Sequence, residues 1–417
     1  MGEALDDLVL YKKSIAKQFG EENIRRGWLK VCKELETITD NLAAKGTSAI
    51  PEVDFEDLFS LPEESKQKLK DIGCFVVRGV VDREQVDTWF NDLKSYVAEN
   101  RSSITGWPAE NPFVLNLYFT PTQIAARSHP NQLRVAKELN SWWHDSSDSA
   151  TADPLSYADA VRIRPPGVPF YGLGPHIDAG SLSRWADSTY RSCYAPVFEG
   201  HPEDLDLYNI GIRKDAKQAM FEGSAHSRVF RAFQGWTALT SAGPGEGSLM
   251  LYPAVKWAIA YVMLRPFFKE PAEENILDAT KWTFDLENPW FPGTFREDSQ
   301  LLSPSSHPHL RLKECMVNIP QMYPGDTIWW HADMCHAVEV DHNGDHEASV
   351  AYIAATPSTD VNKAYIAAQL KDFLEGRPPE DFRNPKKKLT VEKDFVGYSG
   401  ERAILSPEGR LAMGFVH

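Results

Sequence analysis

The chain has 417 residues, 42% hydrophobic and 25% charged, enough to bury a sizeable core in one large domain or two modest ones. Its 44 Lys and Arg stand against 59 Asp and Glu, and the resulting net charge of −15 disfavours nucleic acid or an anionic membrane as partner and favours a small-molecule ligand. Five scattered cysteines (Cys32, Cys74, Cys193, Cys315 and Cys335) without CxxC spacing suggest neither a disulfide framework nor a cysteine zinc site. With no signal-like apolar start and no run near the roughly 18 apolar residues of a membrane span, a reducing, cytoplasmic setting is expected.

Apolar positions at helical spacing (Leu8, Ile15, Phe19, Ile24, Trp28, Val31, Leu35, Ile38) predict two helices over residues 5–45. They form a helical N-terminal extension, residues 1–50, with a linker from Asn41 to Pro51. Residues 51–417 then read as a single domain. Asp71 to Val81 reads as a short buried strand, and Asp82 opens a helix with Val86, Trp89, Leu93 and Tyr96 on one face. Gln132 to Trp143 is amphipathic, and Ala158 to Gly167 alternates like a strand and stops at its prolines. Phe230 to Thr240, the turn Gly243-Pro-Gly-Glu-Gly247 and Ser248 to Tyr252 give a hairpin signal. The proline-rich stretch at about 265–310 looks like an insertion or lid, and His307 and His309 within it, like His342 and His346 later, are expected at the surface. Strand-like Cys315 to Ile319, Thr327 to Trp330 and Ser349 to Ala355 lead to a closing helix, Asn362 to Glu375. Lys386-Lys387-Lys388 reads as a solvated turn. Strands grouped in the second half and helices in the first predict an α+β protein on an antiparallel barrel or jelly roll.

Two segments carry chemistry: Gly174-Pro-His176-Ile-Asp178-Ala-Gly180, and Pro324-Gly-Asp-Thr-Ile-Trp-Trp-His331-Ala-Asp-Met-Cys-His336. A His and a carboxylate two apart on a strand share a face, with Cβ atoms roughly 6–7 Å apart, so both reach one metal ion. A second His from a neighbouring strand completes a 2-His-1-carboxylate set with an open face. His331 and His336 compete for that position. On one straight strand they would face opposite sides, so only one points at the metal. Gly243-Pro-Gly-Glu-Gly247 lacks the Lys-Ser/Thr of a phosphate-binding loop, no G-x-S-x-G elbow appears, and there is no H-E-x-x-H.

Together with the entry Gly73-Cys-Phe-Val-Val-Arg-Gly-Val-Val81 and the stretch from Trp236 to Tyr252, these segments resemble the iron(II)/2-oxoglutarate-dependent dioxygenases. The branch is the phytanoyl-CoA dioxygenase-like one, with a smaller fungal and bacterial family related to it. The resemblance spans roughly residues 60–375. It implies a double-stranded β-helix core, jelly-roll and cupin-like, flanked by helices. It also implies Fe(II) held by His176, Asp178 and His336, with 2-oxoglutarate and O₂ as co-substrates. Oxidation of a C–H bond of a small metabolite, by hydroxylation, desaturation or cyclisation, would yield succinate and CO₂. Many relatives carry an Arg about ten residues beyond the distal His, where it grips the far carboxylate of 2-oxoglutarate. Here Val340 to Tyr352 holds no Arg or Lys. Arg162, Arg164 and Arg184 are the candidate anchors, with Ser349 and Tyr352 adding hydroxyl contacts. Trp185, Trp236, Tyr252, Trp329 and Trp330 are candidate pocket walls. Two alternatives stay open: a non-catalytic β-barrel that binds a metabolite, and a cupin-like metal enzyme that does not use 2-oxoglutarate.

Overall fold

The computed structural model describes residues 2–147, 150–221, 223, 227–383 and 389–416, with only the backbone course for residues 2–6. The Lys386–Lys388 run lies outside the described residues. The architecture is mixed α+β with several separate sheets.

The larger sheet has nine strands. From one edge it runs Glu52–Asp54, Cys74–Arg78, Thr327–His331, Phe233–Ala238, Ala348–Ser358, Val161–Arg164, Val114–Leu115 and Gly106–Trp107, with Thr151–Leu155 also paired to Ala348–Ser358. All its ladders are antiparallel except the first. The smaller sheet, Gln300–Leu301, His176–Ile177, His336–Val338, Leu249–Leu251 and Val317–Asn318, is antiparallel throughout. Among the described residues no ladder closes either sheet into a barrel.

The central strands of the larger sheet are apolar on both sides because both sides are covered. Register puts Trp329, His331, Phe233 and Phe75 on one side, where Trp142 and Trp143 at the end of helix Pro130–Ser141 pack against them. The other side carries Ile328, Trp330, Gln234, Trp236, Tyr352 and Arg162. Trp330 lies with its ring 5.2 Å from that of His336, so this side faces the smaller sheet.

Several expectations need correction. The predicted hairpin is absent: Phe233–Ala238 and Leu249–Leu251 belong to different sheets, and the glycine-rich turn carries the chain between them. The second N-terminal helix, Glu21–Lys45, runs into the expected linker, a short 3-10 helix, Gly46–Ala49, continues it, and Trp28 of the long helix stacks on Phe268 at 4.4 Å. His309 is buried because it fills the space between Trp28, Tyr261 and Trp282 and meets the Tyr261 hydroxyl at 3.1 Å. His307 and His342 are buried too, while His346 is exposed as expected. The proline-rich stretch is not only a loop, since Gln300–Leu301 pairs with His176–Ile177. All five cysteines are unpaired, and no helix of the described residues is long and apolar enough to cross a membrane.

Candidate metal centre

His176 and His336 sit directly opposite each other on neighbouring strands of the smaller sheet, their rings 4.2 Å apart. Asp178, just past the end of its strand, turns its carboxylate between them. Oδ1 lies 3.6 Å from His176 Nε2 and Oδ2 3.6 Å from His336 Nε2. The three donor atoms fall within 4.8 Å of one another. His331 is not part of this group. It ends a strand of the larger sheet, and the chain crosses to the smaller sheet before His336, so the picture of one straight strand is replaced by two strands in two sheets. Both His331 nitrogens are used: Nδ1 accepts from Asp333 N at 3.0 Å and Nε2 donates to Leu207 O at 3.3 Å.

The tautomers of the pair follow from their neighbours. His176 Nδ1 is 2.8 Å from Gly174 O, and His336 Nδ1 is 3.0 Å from Met334 O. A carbonyl only accepts, so each Nδ1 carries the proton and each Nε2 points a bare lone pair at Asp178. Burial first, and then His176, pushes His336 down to about 4 against the pull of Asp178. Burial pushes the Asp178 carboxyl up, but His336, His176, Arg231 and a hydrogen bond from Ser299 outweigh it and hold the group at about 2. Two imidazole nitrogens and a carboxylate thus converge on one point, a donor set that fits a divalent transition metal.

The loop that aims Asp178 is held from behind. Ala179 has φ 64°, rare for a residue with a Cβ, and Gly180 has φ 95° with space for a Cβ closed by Gln218 O at 2.1 Å. Arg184 Nη2 donates to Asp178 O at 2.7 Å and the Tyr190 hydroxyl to Ala179 O at 2.7 Å. Both belong to a buried knot in which Asp333 takes two 2.9 Å bonds from Arg213 and one of 3.0 Å from Tyr194. Ser299, brought in by the proline-rich segment, donates to Asp178 Oδ1 at 3.3 Å.

The three candidate anchors separate clearly. Arg164 is fully buried and spends its guanidinium on the carbonyls of Glu339, Val340, Val168 and Gly247. Arg184, also 0% exposed, is sealed behind Asp178 with its Nη2 on Asp178 O and Asp333. Neither reaches the space in front of the triad. Arg162 is 3% exposed, yet its guanidinium meets no hydrogen-bond acceptor among the described residues, and its Nε is buried without one. It lies opposite Val350 on Ala348–Ser358, on the side facing the smaller sheet. Tyr352, on that side too, has a hydroxyl that makes no hydrogen bond among the described residues, whereas the Ser349 hydroxyl donates to Arg162 O at 2.9 Å. Of the candidate walls, Trp236 and Trp330 face the site, Trp329 is on the far side, and Trp185 and Tyr252 are core.

Sequence reasoning missed Arg231, Asp159 and Gln234. Arg231 Nη1 lies 3.5 Å from Asp159 Oδ2 and its guanidinium 5.4 Å from the Tyr157 ring. Both charges are within electrostatic reach of Asp178. Gln234, in register with Trp330, makes no side-chain hydrogen bond among the described residues, and Trp330 Nε1 is a buried donor without a partner. Their positions in the chain carry no short-range signal.

Fold and site together define an α+β protein with an internal His-Asp-His group of metal-ligating type. Residues 6–415 match the family described as Gig2-like, and the chain belongs to it. The YbiU protein of Escherichia coli strain K12 is 30% identical over 390 residues, 89% of this chain and 87% of that one. The structure of GlcNAc Inducible Gene 2, GIG2 (DUF1479), from Candida albicans is similar with a TM-score of 0.88 at 29% identity, covering 98% of this chain and 89% of that one. The structure of a presumed oxidoreductase from Salmonella typhimurium LT2 is similar with a TM-score of 0.84 at 27% identity, covering 99% and 97%.

Proposed function

We propose that the chain is a non-haem Fe(II)- and 2-oxoglutarate-dependent oxygenase that oxidises a C–H bond of a small metabolite. The observation that carries this reading is the convergence of His176 Nε2, His336 Nε2 and the Asp178 carboxylate, with both imidazoles locked by backbone carbonyls in the ligating tautomer. When bound there, Fe(II) with 2-oxoglutarate and O₂ supplies the oxidation, with succinate and CO₂ as co-products. The smaller sheet and the facing side of the larger one are read as the two sheets of a double-stranded β-helix. The name of the Salmonella relative points to the same class of reaction.

The residues of this chain then divide the work. His176, Asp178 and His336 occupy one side of the metal position and leave the side toward the larger sheet free for small ligands. Arg162 takes the far carboxylate of 2-oxoglutarate, from the strand next to the one that follows the distal His. A buried guanidinium with no acceptor among the described residues, free to bind a carboxylate bidentately, suits that ligand. Trp330, beside His336, screens the site from water.

Anaerobic loading with Fe(II), followed by 2-oxoglutarate, should produce a weak visible metal-to-ligand charge-transfer absorption. His176→Ala and Asp178→Ala should each lose it. A fully metal-loaded wild type that develops no such absorption would remove 2-oxoglutarate from the reaction.

A further inference from the structure

Arg231 and Asp159 form the other polar pair near the triad, and they are loosely joined. Their nearest atoms are 3.5 Å apart. Among the described residues Arg231 makes no hydrogen bond, while Asp159 accepts one through Oδ1, from Ala160 N at 2.7 Å, and Oδ2 accepts none. Arg213 and Asp333, more deeply buried, close to bidentate contact at 2.9 Å, as arginine–carboxylate pairs frequently do. This pair instead leaves most of a guanidinium fork and one carboxylate oxygen free.

The charge balance of the site narrows what would fill the gap. Arg127, Arg162 and Arg231 offset Asp159, Asp178 and Asp381, and on the oxygenase reading a divalent metal would offset the dianion 2-oxoglutarate. A ligand that gives up water beside these charges does so at least cost when its net charge is zero. A neutral apolar ligand would leave the fork and the oxygen without partners. A simple anion would satisfy Arg231 but face Asp159, and a simple cation would do the reverse.

We infer that the Arg231–Asp159 pair is the substrate-recognition subsite and that the substrate is a small zwitterion, its carboxylate received by Arg231 and its ammonium group by Asp159 Oδ2. The inference rests on the oxygenase reading for the place of the reacting carbon, but binding at the pair does not require metal or 2-oxoglutarate. Tyr157 stacks against the guanidinium and fixes its direction, while its own hydroxyl donates to Asp381 at 2.9 Å.

The test uses three probes of one size on the metal-free full-length chain, read by ligand-observed NMR titration: glycine, acetate and methylammonium. Glycine should bind at least about tenfold more tightly than either single-charge probe, the worth of one added charge-assisted hydrogen bond. Arg231→Gln should weaken glycine and acetate together. Asp159→Asn should lower glycine to the level of acetate, with the melting temperature of each variant recorded to verify folding. Equal binding of the three probes by the wild type, or glycine binding that survives both substitutions in folded protein, would overturn the inference. If either variant fails to fold, the ranking of the probes on the wild type still decides. Loss of the 2-oxoglutarate absorption with glycine selectivity intact would strike the oxygenase reading alone. The opposite pattern would strike the zwitterion subsite alone.

Discussion

Asp178, half-buried, and Asp333, fully buried, are two carboxylates linked through one arginine, and their surroundings are opposite. Asp333 is met by donors: Arg213 twice, Tyr194 once and Arg184 at 3.5 Å. Burial pushes it up, yet Arg213 and Arg184 hold it far below the usual carboxylate range. Asp178 is met by two bare imidazole lone pairs, with the Ser299 hydroxyl as the sole side-chain donor among the described residues. The protein answers the first charge itself and leaves the second to be answered by a cation. The same contrast separates Arg164, whose guanidinium meets four carbonyls, from Arg162, whose guanidinium meets none among the described residues. Buried charge that the fold completes is structural, and buried charge that it leaves open marks where ligands go.

The sharpest way to break this comparison is to remove each carboxylate in turn. Asp333→Leu strands two buried guanidiniums and should cost about 3–5 kcal/mol of unfolding free energy. Asp178→Asn, in chelator-treated protein, should cost less than Asp333→Leu, because Asp178 takes one side-chain hydrogen bond among the described residues where Asp333 takes four. Urea unfolding of both variants, alongside titration with Fe(II) or Mn(II), reads the two effects. Metal affinity should vanish in Asp178→Asn. Equal destabilisation by the two substitutions would show that Asp178 too is a structural charge.

The arginines give the next, smaller contrast. Arg164→Met leaves buried carbonyls of Glu339, Val340 and Val168 without their donor and should cost roughly 2–4 kcal/mol. Arg162→Met removes a cation that no acceptor among the described residues answers and should leave stability unchanged or raise it by up to about 1 kcal/mol. Its effect should appear in 2-oxoglutarate affinity, weakened about 10- to 100-fold when the charge-transfer absorption is titrated. A destabilised Arg162→Met with unaltered affinity would return the anchor to an open question.

What the sequence revealed, and what it hid, follows the range of the interactions. The His176-Ile-Asp178 spacing is local, so strand geometry alone set these two side by side, whereas His336 came from the family resemblance, because it lies beyond the strand that the Pro324-Gly-Asp turn introduces and in another sheet. Helix Val255–Leu264 was not legible, because it is buried on nearly every side and carries no polar face to reveal a period. The false hairpin had correct strands and a correct turn, but pairing in different sheets is decided by partners far along the chain. His307 and His309 looked like surface residues because prolines and serines surround them, while Tyr261, from a distant helix, buries both. Arg162 could be named as a candidate. Only its lack of acceptors, set by the whole surrounding fold, separates it from Arg164.

The smallest effect concerns His331, which stands on the completed side of the comparison. It is fully buried between Trp143, stacked at 5.0 Å, and the Asp333 backbone. Burial pushes it down to about 4, with Asp333 raising it and Arg213 lowering it. Between its unfolded value of 6.5 and about 4, the unfolded chain binds a proton that the native ring refuses. Stability from this group is therefore complete above about pH 6.5 and falls as the pH drops toward 4, by roughly 2 kcal/mol at pH 5. Chelator-treated His331→Gln should be less stable than wild type at pH 8, yet lose about 2 kcal/mol less between pH 8 and pH 5 in urea unfolding. Buried His307, His309 and His336 keep their share of the acid loss, so the slope should shrink rather than disappear. An unchanged slope would mean that His331 binds its proton in the folded state after all. The knot behind Asp178 would then hold an exchangeable charge, and the line between completed and open charge would have to be drawn elsewhere.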